Sequence, residues 1–158
     1  MNRQISKWNR VSWRPNQHGV SLIELMVVIV IIGMLAAIAY PSYQGFVIRS
    51  NRSAAKSVLL DVAQRQEQFF AENKRYAANL TDLGYTADGF MVNAQGDPVA
   101  AGADDRKYSI TLTDTANMTF TGNAAPQLQQ AAHDAACGTL TLAHDGMRDN
   151  TGAADNCW

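Results

Sequence analysis

A long uncharged run near the N-terminus constrains this chain more than any other feature. From Leu25 to Ile48 no side chain is charged. At about 1.5 Å per residue, a helix of that length crosses the ~30 Å hydrocarbon core of a bilayer. One carboxylate, Glu24, stands at the start of the run. An ionisable group at the edge of a membrane segment is costly unless it has a partner, so the sequence predicts a spanning helix with one carboxylate to be paired.

The segment before this run is basic and ends in a small residue. Its cations are Arg3, Lys7, Arg10 and Arg14, with no acid among them, and Gly19 directly precedes the apolar stretch. An ordinary secretory signal has an apolar region of only about 7–15 residues and is cleaved after it. Cleavage after Gly19 would instead leave the helix on the product. A plain signal-anchor helix is the alternative, but it explains neither Glu24 nor the Gly19–Val20 junction.

The chain divides into three predicted parts. Residues 1–19 form a leader, residues 20–48 the membrane or assembly half of one long helix, and residues 49–158 a globular head. We expect the helix to reach about residue 75 and to pass through Pro41, because proline in a membrane helix kinks more often than it terminates. Its second half is amphipathic, with Asp61 and Arg65 spaced as an i,i+4 ion pair. The apolar residues of this half are Ala55, Val58, Leu59, Val62, Phe69 and Phe70.

The head changes its periodicity after the helix. Glycines and a Gly-Asp-Pro sequence predict a loop over residues 76–106. Residues 107–149 contain three stretches in which apolar residues alternate with Ser or Thr: Tyr108–Leu112, Met118–Phe120 and Leu140–Leu142. Alternation with a period of two predicts half-buried strands. We therefore expect an α+β fold in which three or four antiparallel strands lie across the amphipathic half of the helix.

Two cysteines, Cys137 and Cys157, lie in a C-terminal region of residues 137–158. They could be free thiols, could bind zinc together with His133 and His144, or could form a disulfide. The closely spaced cysteine pair typical of zinc sites does not occur. A disulfide is the favoured interpretation. It would contribute about 3 kcal/mol by closing a loop of this size, and it would place the head in an oxidising compartment.

The N-terminal pattern resembles a known family. A basic leader ending in Gly19, a carboxylate five residues later at Glu24, and an apolar helix running through Gly33 and Pro41 resemble the class III signal of type IV prepilins. The segment E-N-K-R-Y-A-A-N-L-T-D-L-G-Y at 72–85 resembles the helix exit of the same family. The C-terminal segment from Ala136 to Trp158, with A-C-G-T-L-T-L-A-H-D-G-M-R at its start and N-C-W at its end, resembles PilE-like minor pilins, which are related to ComP-type minor pilins. The chain is identified as a member of the type IV pilin superfamily, and the resemblance covers most of residues 17–158.

The resemblance implies particular roles for particular residues. A prepilin peptidase would cleave between Gly19 and Val20, and Val20 would be N-methylated, although the first mature residue in this family is usually Phe. Glu24 would pair with the cationic N-terminus of a neighbouring subunit during assembly. A Cys137–Cys157 disulfide would fasten the C-terminal loop to the sheet. The implied fold is the type IV pilin fold.

Three functions remain open. The first is a minor pilin in a type IV pilus, serving pilus biogenesis, twitching motility, adhesion or competence. The second is a minor pilin that is a receptor for DNA uptake, and the third is a pseudopilin of type II secretion. All 14 acidic residues follow Gly19 but four of the 13 lysines and arginines precede it, so the part after Gly19 has a formal charge of −5. This acidic balance argues against nucleic acid as a partner.

No enzyme, cofactor or metal site is expected. His133 and His144 lack an adjacent nucleophile, and the acids Asp145, Asp149 and Asp155 lack EF-hand spacing. The expected partners are other pilin subunits, the prepilin peptidase, the inner-membrane assembly machinery and membrane lipid. The resemblance implies an inner-membrane protein with one span and a periplasmic head, which later moves into an extracellular fibre.

Overall fold

One helix dominates the N-terminal part of the chain. The computed structural model describes residues 19–116 and 118–158, so the leader prediction for residues 1–18 lies outside the described residues. Helix α1 runs from Leu22 to Asn73 and continues through Pro41, as expected. The chain divides into two compact units, of which the first ends at Tyr40 and the second runs from Pro41 to Trp158.

The first unit contains the apolar start of α1. Its large apolar side chains from Leu22 to Tyr40 are all between 44% and 75% exposed. α1 is long and apolar enough to cross a membrane. The isolated chain therefore leaves this part of the helix without packing partners among the described residues, as a helix made for lipid or for other subunits would.

The second unit is an antiparallel sheet packed on α1. Its strands are β1 (Phe90–Val92), β2 (Pro98–Val99), β3 (Tyr108–Ala116), β4 (Thr119–Pro126), β5 (Leu140–Ala143) and β6 (Arg148–Asn150). They lie in the order β2-β1-β3-β4-β5-β6, and every neighbouring pair is antiparallel. A short 3-10 helix (Leu80–Leu83) precedes β1, and helix α2 (Leu128–His133) connects β4 to β5.

The core forms where one face of α1 meets the sheet. Ala55, Leu59 and Val62 recur at helical spacing and are buried against a set of strand residues. Gly122 in β4 allows this close approach, because a Cβ at that position would lie 3.3 Å from Leu59 Cδ2. The strand residues in the core are Phe90, Val92, Tyr108, Ile110, Ala124, Leu140 and Leu142. The predicted α+β class and the packing of the helix on an antiparallel sheet are confirmed.

The sheet has six strands rather than the three or four expected. The three alternating stretches became β3, β4 and β5. Two further strands, β1 and β2, lie inside the predicted loop of residues 76–106, and α2 was not foreseen. With three and two residues, β1 and β2 are too short to show alternation, and β6 is the polar sequence Arg-Asp-Asn. These short strands form by pairing with a neighbour, which no local pattern reveals.

Candidate functional site

The predicted processing site lies outside the helix. Gly19, Val20 and Ser21 precede the first turn of α1 and are exposed. A Cβ at Gly19 would meet no atom of the described residues within 4 Å. The peptide between Gly19 and Val20 is therefore accessible and is not held in a helical hydrogen-bond ladder, as a protease requires.

Glu24 lies in the first turn of α1 and is exposed. A carboxylate in that turn interacts favourably with the positive end of the helix macrodipole. The side chains around it are apolar and exposed, so nothing in the described part of the isolated chain neutralises it. Glu24 therefore has no ion-pair partner among the described residues.

A buried polar network joins α1 to α2 in the second unit. Asp134 is 2% exposed, and its carboxylate accepts hydrogen bonds from Arg52, Tyr108 and Gln130. Tyr108 donates at 2.7 Å and Gln130 at 3.1 Å. Gln130 also donates to the Ile48 carbonyl at 3.2 Å. The network fixes α2 against the helix just after its uncharged run ends.

The electrostatics of this network agree with its geometry. The hydrogen bond to Asp134 raises the pKa of Arg52, whose side chain is only 12% exposed. Burial raises the pKa of Tyr108, and its hydrogen bond to Asp134 raises it further. Asn51 donates to Gln130 at 2.9 Å. Among the described residues no buried side-chain nitrogen or oxygen lacks a partner, so the network is fully satisfied.

The two cysteines form a disulfide, with 5.5 Å between the Cα atoms of Cys137 and Cys157. The disulfide interpretation is confirmed, and the free-thiol and zinc alternatives are wrong because both sulfurs are consumed. The Asp134 carbonyl accepts the amides of Cys137 at 3.0 Å and of Gly138 at 2.9 Å. The buried network and the disulfide are thus contiguous. In the described residues no group of three or more His, Cys, Asp or Glu is placed to hold a metal.

A cation–aromatic cluster, formed by Lys56, Arg148 and Trp158, lies beside the disulfide. Lys56 Nζ stands 5.8 Å from the centroid of the Trp158 ring, and Arg148 Cζ stands 5.6 Å from it. The indole nitrogen of Trp158 donates to the Asp149 carbonyl at 2.7 Å, which fixes the ring. Arg148 is exposed, while Lys56 and Trp158 are half-buried.

A second cluster holds the segment after α1 against the helix. The predicted Asp61–Arg65 ion pair is present at 2.9 Å, and Tyr85 donates to Asp61 at 2.6 Å. Burial raises the pKa of Asp61, but the hydrogen bonds from Tyr85 and Arg65 outweigh it, so the pKa lies below its ordinary value. An open groove of about 410 Å³ runs between this cluster and the β1–β2 connection.

The sequence showed some of these residues and missed others. The roles of Gly19, Val20 and Glu24, which lie within one short segment, stay predictions, whereas Cys137 and Cys157 are joined through the fold. The buried network and the cation–aromatic cluster were not foreseen. One signal was present, since Asp134 and Gln130 are spaced i,i+4 like a pair on one helical turn.

Comparisons with known proteins agree with this architecture. Residues 41–141 match the family described as type IV minor pilin ComP, DNA uptake sequence receptor, and residues 14–40 match the prokaryotic N-terminal methylation motif. An apolar N-terminal helix, a sheet packed on its second half and this motif define the class of type IV pilins. The chain belongs to the type IV pilins, and within them to the ComP minor pilin family.

Similar proteins include pilins of several bacteria. The type IV major pilin protein PilA of Myxococcus xanthus is 41% identical over 102 residues, which is 65% of this chain and 43% of that protein. The type IV major fimbrial protein FimA of Dichelobacter nodosus is 34% identical over 73% of this chain and 78% of its own length. A fimbrial protein of Pseudomonas aeruginosa is 31% identical over 63% of this chain and 68% of its own. The match thus spans less than half of the Myxococcus protein.

Proposed function

We propose that this protein is a minor subunit of a type IV pilus, held in the membrane by α1 before assembly and by neighbouring subunits afterwards. The observation that carries this proposal is the exposed apolar start of α1. Its large side chains between Leu22 and Tyr40 are at least 44% exposed, a surface that water does not tolerate over such a length. Lipid covers such a surface first, and the helices of other pilins cover it in a fibre.

We propose that Glu24 sets the axial register between neighbouring subunits. Cleavage after Gly19 would give Val20 a cationic amine. Within a bundle of apolar helices, an unpaired charge costs several kcal/mol, whereas a carboxylate and an ammonium in contact cost much less. Pairing of Glu24 with the amine of a neighbour therefore favours one axial position over all others.

Substitution of Glu24 tests this assignment. We expect Glu24→Ala to insert into the inner membrane as well as the wild type does, because the segment becomes more apolar. Its incorporation into sheared pili should fall by orders of magnitude, and Glu24→Gln should fail in the same way because it lacks the charge. Glu72→Ala, which removes an exposed carboxylate near the other end of α1, is the matched control. Immunoblots of membrane and sheared fractions measure both quantities.

The result decides between pairing and an interfacial carboxylate. If Glu24→Ala subunits reach sheared fibres at wild-type levels, Glu24 only faces water at the membrane edge. The amount of the protein relative to the main fibre subunit, measured by mass spectrometry of sheared pili, tests the minor role. A protein that forms most of the fibre contradicts that role. One found only in a secretion apparatus supports the pseudopilin alternative.

DNA binding is a second candidate function. It is favoured by the family match, because the family described as a DNA uptake sequence receptor covers residues 41–141. The net charge of −5 after Gly19 argues against it, but a local basic site can outweigh an acidic average. Deletion of the gene should then lower transformation by DNA while surface pili persist. Loss of both together would indicate a role in assembly alone.

A further inference from the structure

Two cations converge on one aromatic ring at the C-terminal end of the head. In the cation–aromatic cluster, Lys56 comes from α1 and Arg148 from β6, and both stand within 6 Å of the Trp158 ring centroid. The fold therefore collects charges that are far apart in the sequence. Stacking on an aromatic face fixes the position of a cation without neutralising it.

Neither cation of this cluster is in an ion pair. Among the described residues, Arg52 is paired with Asp134 and Arg65 with Asp61, but neither Lys56 nor Arg148 forms an ion pair. Burial lowers the pKa of Lys56, and the positive charges of Arg52 and Arg148 lower it further, which outweighs the opposite effect of Asp134. Like charges crowded in this way repel each other, and a bound anion would relieve that repulsion.

We propose that Lys56 and Arg148, held in place by Trp158, bind adjacent phosphates of a DNA backbone. This inference rests on the second candidate function and assigns it a site. A compact ammonium and a forked guanidinium are the groups that proteins use for phosphate oxygens. Arg148 and Trp158 follow the residues that match the family, so the match itself does not assign this site.

The acidic remainder of the head makes this contact a local one. With a formal charge of −5 after Gly19, the average surface repels a polyanion, so few phosphates can be contacted. Each phosphate contact adds about 0.9 to the magnitude of the slope of log K against log salt. We therefore expect DNA affinity to depend only weakly on salt. The two contacts from Lys56 and Arg148 should account for a large part of the slope of log K against log salt.

The test is a salt titration with the purified full-length processed protein in detergent and a fluorescently labelled short DNA duplex. The variant Lys56→Gln/Arg148→Gln should lower the magnitude of the slope by about 2 and weaken binding equally for all sequences. The affinity gap between wild type and variant should shrink about twelvefold between 50 and 200 mM salt. Lys56→Arg/Arg148→Lys keeps both charges and should bind nearly as the wild type does.

A matched control exists in the same chain. Arg75 stands 5.6 Å from the ring centroid of Phe69, in the same type of contact but away from Trp158. Arg75→Gln should leave the salt slope unchanged. Trp158 would be the only tryptophan left after cleavage at Gly19, because Trp8 and Trp13 precede it. Its fluorescence should change on binding in the wild type, and the change should be lost in the Gln double variant.

The outcomes separate this site from the function on which it rests. If the wild type binds DNA and the Gln double variant binds with the same slope, the site is wrong and the receptor function stands. If the wild type does not bind DNA, both are overturned. Binding to anionic lipid vesicles without binding to DNA also overturns the proposal and makes the cluster a membrane contact.

Discussion

Asp134 is the residue on which the most polar contacts of the head converge. Its carboxylate is buried and accepts hydrogen bonds from Arg52, Tyr108 and Gln130. Asp134→Asn removes the negative charge of the carboxylate, so Arg52 keeps a charge without a counter-charge. The new amide nitrogen also cannot accept a hydrogen bond. We expect the free energy of unfolding to fall by about 3 kcal/mol, measured by chemical denaturation in detergent.

The ion pair at Asp61 is the control for this prediction. Asp61 and Arg65 are 48% and 45% exposed, and exposed pairs contribute less than about 1 kcal/mol. Asp61→Asn should therefore cost much less than Asp134→Asn. The double variant Arg52→Met/Asp134→Leu should cost less than Asp134→Asn, because it leaves no buried charge unpaired. Equal losses at Asp61 and Asp134 would contradict the role of burial.

Tyr108 makes the stability of the head decrease with rising pH in the alkaline range. Its pKa in the folded protein lies above the ordinary value of about 10, first because of burial and then because of Asp134. The unfolded chain therefore loses this proton more readily than the folded protein does. The stability that protonated Tyr108 contributes to the folded protein is fully present below about pH 10. It is lost as the pH rises through the pKa of Tyr108 in the folded protein.

A phenylalanine at this position tests the alkaline dependence. Tyr108→Phe should lower the free energy of unfolding by about 1 kcal/mol at neutral pH, because Asp134 loses the hydrogen bond that Tyr108 donates. Above pH 10 its stability should fall less steeply than that of the wild type, measured by thermal unfolding at a series of pH values. Tyr85, whose pKa is raised by burial, contributes with the same sign, and Lys56 contributes with the opposite sign. If stability falls equally steeply with pH in the wild type and in Tyr108→Phe, Tyr108 is not the source of the alkaline pH dependence.

At the scale of the elements, the C-terminal region is held by two kinds of bond. The disulfide links positions 20 residues apart, which contributes about 3 kcal/mol in the chain-entropy model. The backbone also pairs across the same gap, with Gly152 N donating to the Cys137 carbonyl at 3.0 Å and Ala154 N to the Ala136 carbonyl at 2.9 Å. The bridge thus closes a region that is already paired.

Removal of the bridge should therefore loosen this region and spare the rest. We expect Cys137→Ser/Cys157→Ser to lose about 3 kcal/mol of stability and to exchange the amides of residues 150–158 faster. Amides at the β3–β4 pairing should keep their relative protection until global unfolding, since neither cysteine lies in that ladder. Hydrogen exchange with mass spectrometry measures both segments. Uniformly faster exchange relative to global stability would show that the bridge supports the whole sheet.

At the scale of the whole molecule, the sequence predicts features that depend on neighbouring residues, but not those that depend on contacts between residues far apart in the chain. The long helix, β3, β4 and β5 follow from periodicity, and Gly19, Val20 and Glu24 form a motif within one short segment. β1, β2 and β6 are too short or too polar to show a pattern of their own. The buried network and the cation–aromatic cluster join residues far apart in the chain, so only the register of the sheet and the packing of α1 bring them together.

Processing at Gly19 is the event on which we expect the use of the whole molecule to depend. Because Gly19, Val20 and Ser21 are exposed and precede α1, we expect cleavage to leave a mature chain that begins Val-Ser-Leu-Ile-Glu and carries an N-methyl group. Gly19→Val should block cleavage, since a branched side chain would then stand at the scissile bond. N-terminal sequencing of the membrane-extracted protein measures this.

A second glycine supplies the control for that experiment. Gly33 lies within α1, and a Cβ there would meet no atom within 4 Å, so Gly33→Val should be processed as the wild type is. Uncleaved Gly19→Val protein should stay in the membrane and be absent from sheared pili, because it lacks the amine that Glu24 of a neighbour would bind. An intact Met1 terminus on the wild-type protein would remove both the processing site and this source of the pairing charge. Efficient assembly of uncleaved Gly19→Val subunits would show that register between subunits comes from the apolar packing of α1 alone.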